Sequence, residues 1–131
     1  MAAEADPRGL TVKAGEMPAG TVDRRREDVV EVDVSRNRFL RGAIELHILH
    51  HAGETGVHGA WLSDELARHG YRISPGTLYP TLHRLEREGL LRSERTVVAG
   101  RTRRVYRSTR DGERALEEGK RALRELADEV L

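Results

Sequence analysis

The sequence predicts a mainly α-helical chain with one small β-hairpin, and three observations carry that prediction. Apolar residues recur at helical spacing in four stretches, centred near residues 44, 64, 81 and 120. Between the third and fourth stretches the period drops to two, on either side of the turn signal Ala99-Gly100. Aromatic residues make up only 4% of the 131 and charged residues 34%, so the core must be built from Leu, Val, Ile and Ala packed between helices. A core that small often gains stability by pairing with a second chain.

Composition removes several function classes. There is no cysteine, which excludes disulfides, thiolate metal sites and cysteine nucleophiles. No apolar run approaches a membrane span and the N-terminus lacks the apolar centre of a signal peptide, so the expectation is a soluble cytoplasmic protein with no membrane partner. No Gly-rich phosphate loop, no supported Ser-His-Asp order and no carboxylate pair in an apolar setting is present, which argues against an enzyme. His58 with Asp64 or Glu65 is the nearest thing to an acid–base pair, and those residues read better as a helix cap and a solvated face.

Net charge is +1, but it is unevenly placed. Residues 1–35 carry −3 and residues 111–131 carry −3, whereas residues 36–110 carry +7, every basic residue in that block being Arg. A cationic block between acidic ends is the electrostatic pattern of a nucleic-acid-binding unit with separate non-binding parts.

Taken in order, residues 1–35 form an N-terminal extension expected to be partly disordered, rich in Ala, Gly and Pro near its start. Arg24, Arg25 and Arg26 sit among acidic residues and read as a solvated tail more readily than as a DNA-touching arm. Val29, Val30, Val32 and Val34 suggest a short extended piece. The first helix is expected from Arg36 to Ala52, with a broad apolar face from Phe39 to Leu49 and Gly53 as its stop. His58 and Gly59 open a second helix that carries Leu62 and Leu66 and stops at Gly70, with Trp61 packed or bordering a pocket.

The stretch from Ile73 to Leu91 organises the rest. Ser74 is a candidate cap, Pro75 suits a first helical position, Leu78, Leu82 and Leu85 recur at helical spacing, and Gly89 marks the stop. The opposite face holds Thr77, His83, Arg84 and Arg87. A short amphipathic helix with hydroxyl and guanidinium groups outward suits a DNA major groove. A plain surface helix has the same pattern, so its flanks decide between the two. Helix, short turn, helix precede Gly89, and a hairpin follows it. Its first strand has Leu91, Ser93, Arg95 and Val97 on one parity, residues 99–102 make the turn, and the second strand runs from Arg103 to Ser108. Arg101, Arg103 and Arg104 at the tip are placed to reach phosphates or a minor groove. The domain at 36–108 therefore reads as a winged helix-turn-helix.

From Thr109, a candidate N-cap, a last helix fills residues 109–131. Leu116, Leu123, Leu126 and Val130, with Gly119, make a near-heptad stripe that nothing else in the chain is expected to cover. A C-terminal dimerisation helix and an isologous homodimer are the expected solution, in preference to folding back on the first helix.

The run Ser74-Pro75-Gly76-Thr77-Leu78-Tyr79-Pro80, with Leu82, Arg84-Leu85-Glu86 and Gly89-Leu90, resembles the signature of the PadR family of transcriptional regulators. Gly42, His58-Gly59, Tyr106, and Thr109 with Gly112 extend the resemblance over roughly residues 38–118. It implies a winged-helix homodimer that binds double-stranded DNA, usually represses, and is released by a small-molecule effector. It also implies DNA contacts at Ser74, Thr77, Tyr79, His83 and Arg84 and at Arg101, Arg103 and Arg104. Tyr79 and Pro80 have an equal claim to a structural role. The sequence departs from the family at Ala60, where an aromatic residue is usual, at Ser108, and in a final helix without tryptophan, which leaves no evident aromatic drug-stacking pocket.

No cofactor is expected. The rival for the effector is a metal: His47 and His51 form an i, i+4 pair with His50 beside them, and His58 and His69 are candidates to join. Nitrogen ligation would suit Zn, Ni, Cu or Co, although histidines near helix ends more often cap or pack. An interaction module that does not bind DNA is the other alternative, and it predicts no salt-sensitive DNA affinity.

Overall fold

Asn37 caps the first helix: its Oδ1 accepts the Leu40 N–H at 3.2 Å and starts α1 (Arg38–Glu54). The computed structural model describes residues 37–131 in full and, before them, only the backbone of three short strands, β1 (Ala3–Ala5), β2 (Thr11–Lys13) and β3 (Val32–Asp33). β1 and β2 pair antiparallel. Arg24 to Arg26, Val29, Val30, Val34 and Arg36 lie outside the described residues. The first helix therefore begins at Arg38 and runs through Gly53, the expected stop, to Glu54. Gly53 is not among the glycines with positive φ, so it lacks the left-handed turn that ends a helix, and Thr55 closes α1 by donating its N–H to the His51 carbonyl.

α1 buries Ile44, Ile48, Leu49 and Ala52 in the core. After β4 (Val57–His58), His58 caps α2 (Gly59–Arg68), its Nδ1 accepting the Trp61 N–H at 3.2 Å, as the sequence suggests. Trp61, Leu62 and Leu66 turn inward from α2, and Gly70 at φ +87° ends it. β5 (Tyr71–Arg72) pairs parallel with β3 and leads into α3 (Pro75–Arg87). Leu78, Leu82 and Leu85 of α3 are fully buried, which fixes the helix by one face and leaves the other to solvent. Ser74 stands at the N-cap position with Pro75 after it, but its hydroxyl donates to Thr77 Oγ1 at 3.3 Å instead of capping the backbone.

The hairpin consists of β6 (Leu91–Val98) and β7 (Arg101–Ser108), with β4 added on the far side of β7. Its turn is tighter than expected. Ala99 at φ +51° and Gly100 at φ +77° form a two-residue loop, so Arg101 and Thr102 already belong to the second strand, paired with Val98 and Val97. The outer half of β6 also presents the other parity: Thr96 and Val98 are buried and Val97 is 63% exposed. The register is unbroken, so Thr96 and Val98 share the face of Val105, opposite to that of Leu91 and Tyr106, and Val98 meets Val105 in a small cluster of its own.

α4 (Arg110–Val130) starts at Thr109, whose hydroxyl accepts the Gly112 N–H at 3.0 Å and donates to the Gly89 carbonyl at 2.6 Å. That one side chain joins the ends of α3 and the wing to the start of α4. The first half of α4 packs on its own chain, with Ala115 and Leu116 against the core and Gly119 pressed to Leu46 of α1. The expectation that nothing in the chain covers this stripe is thus corrected: the shortness of Gly119 lets α4 lie across α1. The covering stops there, and Leu123 (50% exposed), Leu126 and Val130 remain open.

Gly112 is buried, and a Cβ on it would collide with the Leu90 carbonyl. That carbonyl is held by the Thr109 N–H at 3.1 Å and cannot give way cheaply. Gly112→Ala gains at most ~1 kcal/mol of helix propensity, against an overpacking cost of about 1–3 kcal/mol. Chemical denaturation is expected to show a net loss of stability; an unchanged or raised midpoint would contradict this packing.

Candidate nucleic-acid interface

Because three leucines anchor α3 from one side, its other side projects a polar surface. Ser74, Tyr79 and His83 are exposed on it and Thr77 is half-buried. Tyr79 has a second duty. A Cβ on Gly59 would come within 2.5 Å of its ring, so the aromatic face lies against the start of α2 while 40% of the residue stays exposed. This accounts physically for Gly59 and Tyr79 occurring together.

Arg84 is engaged rather than free. Its Nη2 donates to Glu45 Oε2 at 2.5 Å and its Nη1 to Glu88 Oε2 at 3.1 Å, tying α3 to α1. Touching DNA with this guanidinium would mean releasing or sharing those carboxylates. A cleft of about 360 Å³ between the two helices is lined by Arg41, Thr77, Arg84 and Arg87, adding cations from both helices beside the exposed surface. Arg41 and Glu45 escaped the sequence reading because their closeness to α3 comes from tertiary packing.

The wing is fixed to α3 through Glu86. Its carboxylate accepts the Ser93 N–H at 3.0 Å and the Ser93 hydroxyl at 2.8 Å, and Ser93 Oγ in turn accepts from Arg104 Nη1 at 3.0 Å. Arg101 and Arg104 are exposed and Arg103 is half-buried. The structure thus brings two groups of sequence-predicted residues onto one scaffold, the α3 surface and the wing, with Glu86 and Ser93 setting their relation.

A second polar group lies where α1 meets the end of α2. His47, His51 and His69 each offer a ring nitrogen, all within 4.8 Å of one another. Glu65, buried and not on a solvated face as expected, has its Oε2 at 3.1 Å from His69 Nε2 and 3.6 Å from His51 Nε2, while Arg68 Nη1 donates to its Oε1 at 3.2 Å. The amphipathic period could not reveal that Glu65 points inward. His58 does not join this group; its Nδ1 caps α2 and the ring stands apart from the three histidines. Burial, then the neighbouring His69 and His51, push the His47 imidazole down from 6.5 to about 4.

Comparison with known proteins gives a consistent result. The family model of the transcriptional regulator PadR-like family matches residues 48–118. The chain is similar to the transcriptional regulator Rv3488 of Mycobacterium tuberculosis, 69% identical over 93 residues, which cover 71% of this chain and 87% of that protein. Among solved structures it resembles a PadR family transcriptional regulator from Eggerthella lenta, with 37% identity, a TM-score of 0.63, and coverage of 70% of this chain and 81% of that one. A PadR-like transcriptional regulator from Bacillus cereus matches at 31% identity and a TM-score of 0.65, over 72% and 93% of the two chains. These relatives are regulators rather than enzymes. Among the described residues no helix is long and apolar enough to cross a membrane.

The displaced His47 pKa has a consequence for stability. Between about pH 4 and 6.5 the unfolded chain binds a proton at His47 that the folded chain does not. The stability this group provides is whole above pH 6.5 and is lost as pH falls towards 4. Denaturation midpoints are expected to fall over that window and to fall less in His47→Gln; identical pH profiles for the two proteins would contradict the assignment.

Proposed function

The chain belongs to the PadR-like family of transcriptional regulators, and on that premise we propose that it is a homodimeric repressor released from DNA by a small-molecule effector. The observation that carries this reading is the pairing of an anchored α3, polar on its outer face, with an arginine-tipped wing, both inside the +7 block of the chain. Ser74, Thr77, Tyr79 and His83 meet the base edges and nearby phosphates of a major groove, and Arg101, Arg103 and Arg104 hold the flanking backbone. Arg84, held by Glu45 and Glu88, sets the angle of α3 on α1 and meets DNA by sharing its charge with those carboxylates.

The exposed Leu123, Leu126 and Val130, continuous with the half-buried Leu116, pair with the same stripe of a second chain. Phe39, 60% exposed on α1, extends that apolar surface. Two recognition helices would then reach successive major grooves about one turn, roughly 34 Å, apart. The same apolar surface walls a cleft of about 710 Å³ between α1 and α4, with Phe39, Leu46, Leu116 and Leu123; in the dimer the partner's stripe covers part of it, and the effector is taken by the remainder at that seam. A ligand there would press on the joint between α4 and the winged domain and alter the spacing of the two α3 helices, a coupling typically of about 1–3 kcal/mol.

The test is affinity for DNA upstream of the protein's own gene, titrated across salt beside a scrambled duplex. Preference for the native sequence and a steep salt dependence are expected. Replacing Arg101, Arg103 and Arg104 together by Ala should lower the log–log slope by about 5, because both wings of the dimer lose their phosphate contacts at close to one unit each. Equal binding to both duplexes, with a slope unmoved by the triple variant, would contradict the reading.

A further inference from the structure

We propose that His47, His51 and His69, with Glu65 as the anionic partner, form a binding site for one divalent transition-metal ion at the junction of α1 and α2. The argument begins with ligand chemistry. Three imidazoles and a carboxylate, with no thiolate in the chain, favour zinc, cobalt or nickel over magnesium or calcium. Geometry agrees. His47 and His51 stand one helical turn apart with their rings stacked, centroids 6.3 Å apart. His69, at the cap of α2, brings its ring to 5.0 Å from that of His47. The three donor atoms lie within 4.8 Å of one another, and metal–nitrogen bonds of about 2.0–2.1 Å need them roughly 3.3 Å apart in a tetrahedron. A contraction of up to about 1.5 Å, within side-chain rotation, closes the site.

The surroundings are those of a metal centre more than of an ordinary histidine contact. Glu65 is buried with one carboxylate oxygen fixed by Arg68, so its other oxygen faces His69 and His51 and supplies negative charge where a dication would sit. Tyr71 stands edge-on to His47, 5.3 Å between centroids, and opens the short strand that leads into α3. An ion joining α1 to the end of α2 would therefore stiffen the element that delivers the recognition helix. His47 also lines the α1–α4 cleft, so the site borders the surface assigned above to the effector. The link from metal to DNA rests on the regulator reading; the metal site itself does not.

The experiment titrates the full chain, cleared of metal with chelator, with cobalt(II) and follows its visible d–d absorption. The wild type is expected to saturate at one ion per chain. His47→Gln and His69→Gln are each expected to weaken binding at least tenfold, with folding checked by far-UV circular dichroism. His50→Gln is the control: His50, His51 and Glu54 form a neighbouring candidate group, and this variant should bind as the wild type does. Absence of absorption in the wild type, retention of full affinity by both Gln variants, or loss on His50→Gln alone would overturn the site. In a second arm, zinc is expected to change DNA affinity at least fivefold in the wild type and not in His69→Gln. An unchanged affinity there would overturn the regulatory link, and no DNA binding with or without zinc would count against the regulator reading while the cobalt titration still judged the site.

Discussion

Burial of α1 from two sides is the constraint on which this structure depends. Ile44, Ile48, Leu49 and Ala52 face α2, α3 and the sheet, while Leu46 receives α4 at Gly119. A helix packed in that way touches both the core that carries α3 and the first half of α4. Arg84 and Glu45 add a polar tie between α3 and α1. A displacement of α4 on α1 would reach α3 through the leucine core that α1 and α3 share and through the Arg84–Glu45 pair.

The polar joints serve geometry more than gross stability. Thr109 bridges the end of α3 and the start of α4 with two hydrogen bonds, and Glu86 with Ser93 sets the wing against α3. Each such bond adds only about 1 kcal/mol net. Their value lies in holding the polar surface of α3 and the arginine-bearing wing in register. The interior leucines supply most of the energy: fully burying one contributes about 1.5–3 kcal/mol, and Leu62, Leu66, Leu78, Leu82 and Leu85 are all fully buried.

Much of this was legible in the sequence because it follows from local period and turn chemistry. The leucines of α3, the Thr109 and His58 caps, and the hairpin are all where residue spacing puts them. What was not legible depends on neighbours far along the chain. Gly53 looks like a stop but stays helical, and the loop at Ala99-Gly100 is shorter than the four polar and small residues around it suggest. Glu65 reads as solvent-facing, and only the fold turns it toward His51 and His69. Likewise the Arg84–Glu45 pair spans two helices that no spacing rule connects.

The central claim is that two copies present α3 to successive grooves of one DNA site. Hydroxyl-radical footprinting on the DNA upstream of the protein's own gene tests it most directly. The account predicts two protected patches related by a two-fold axis, their centres about 10 base pairs apart or a multiple of one helical turn. A single unpaired patch, or even protection without sequence preference, would contradict it.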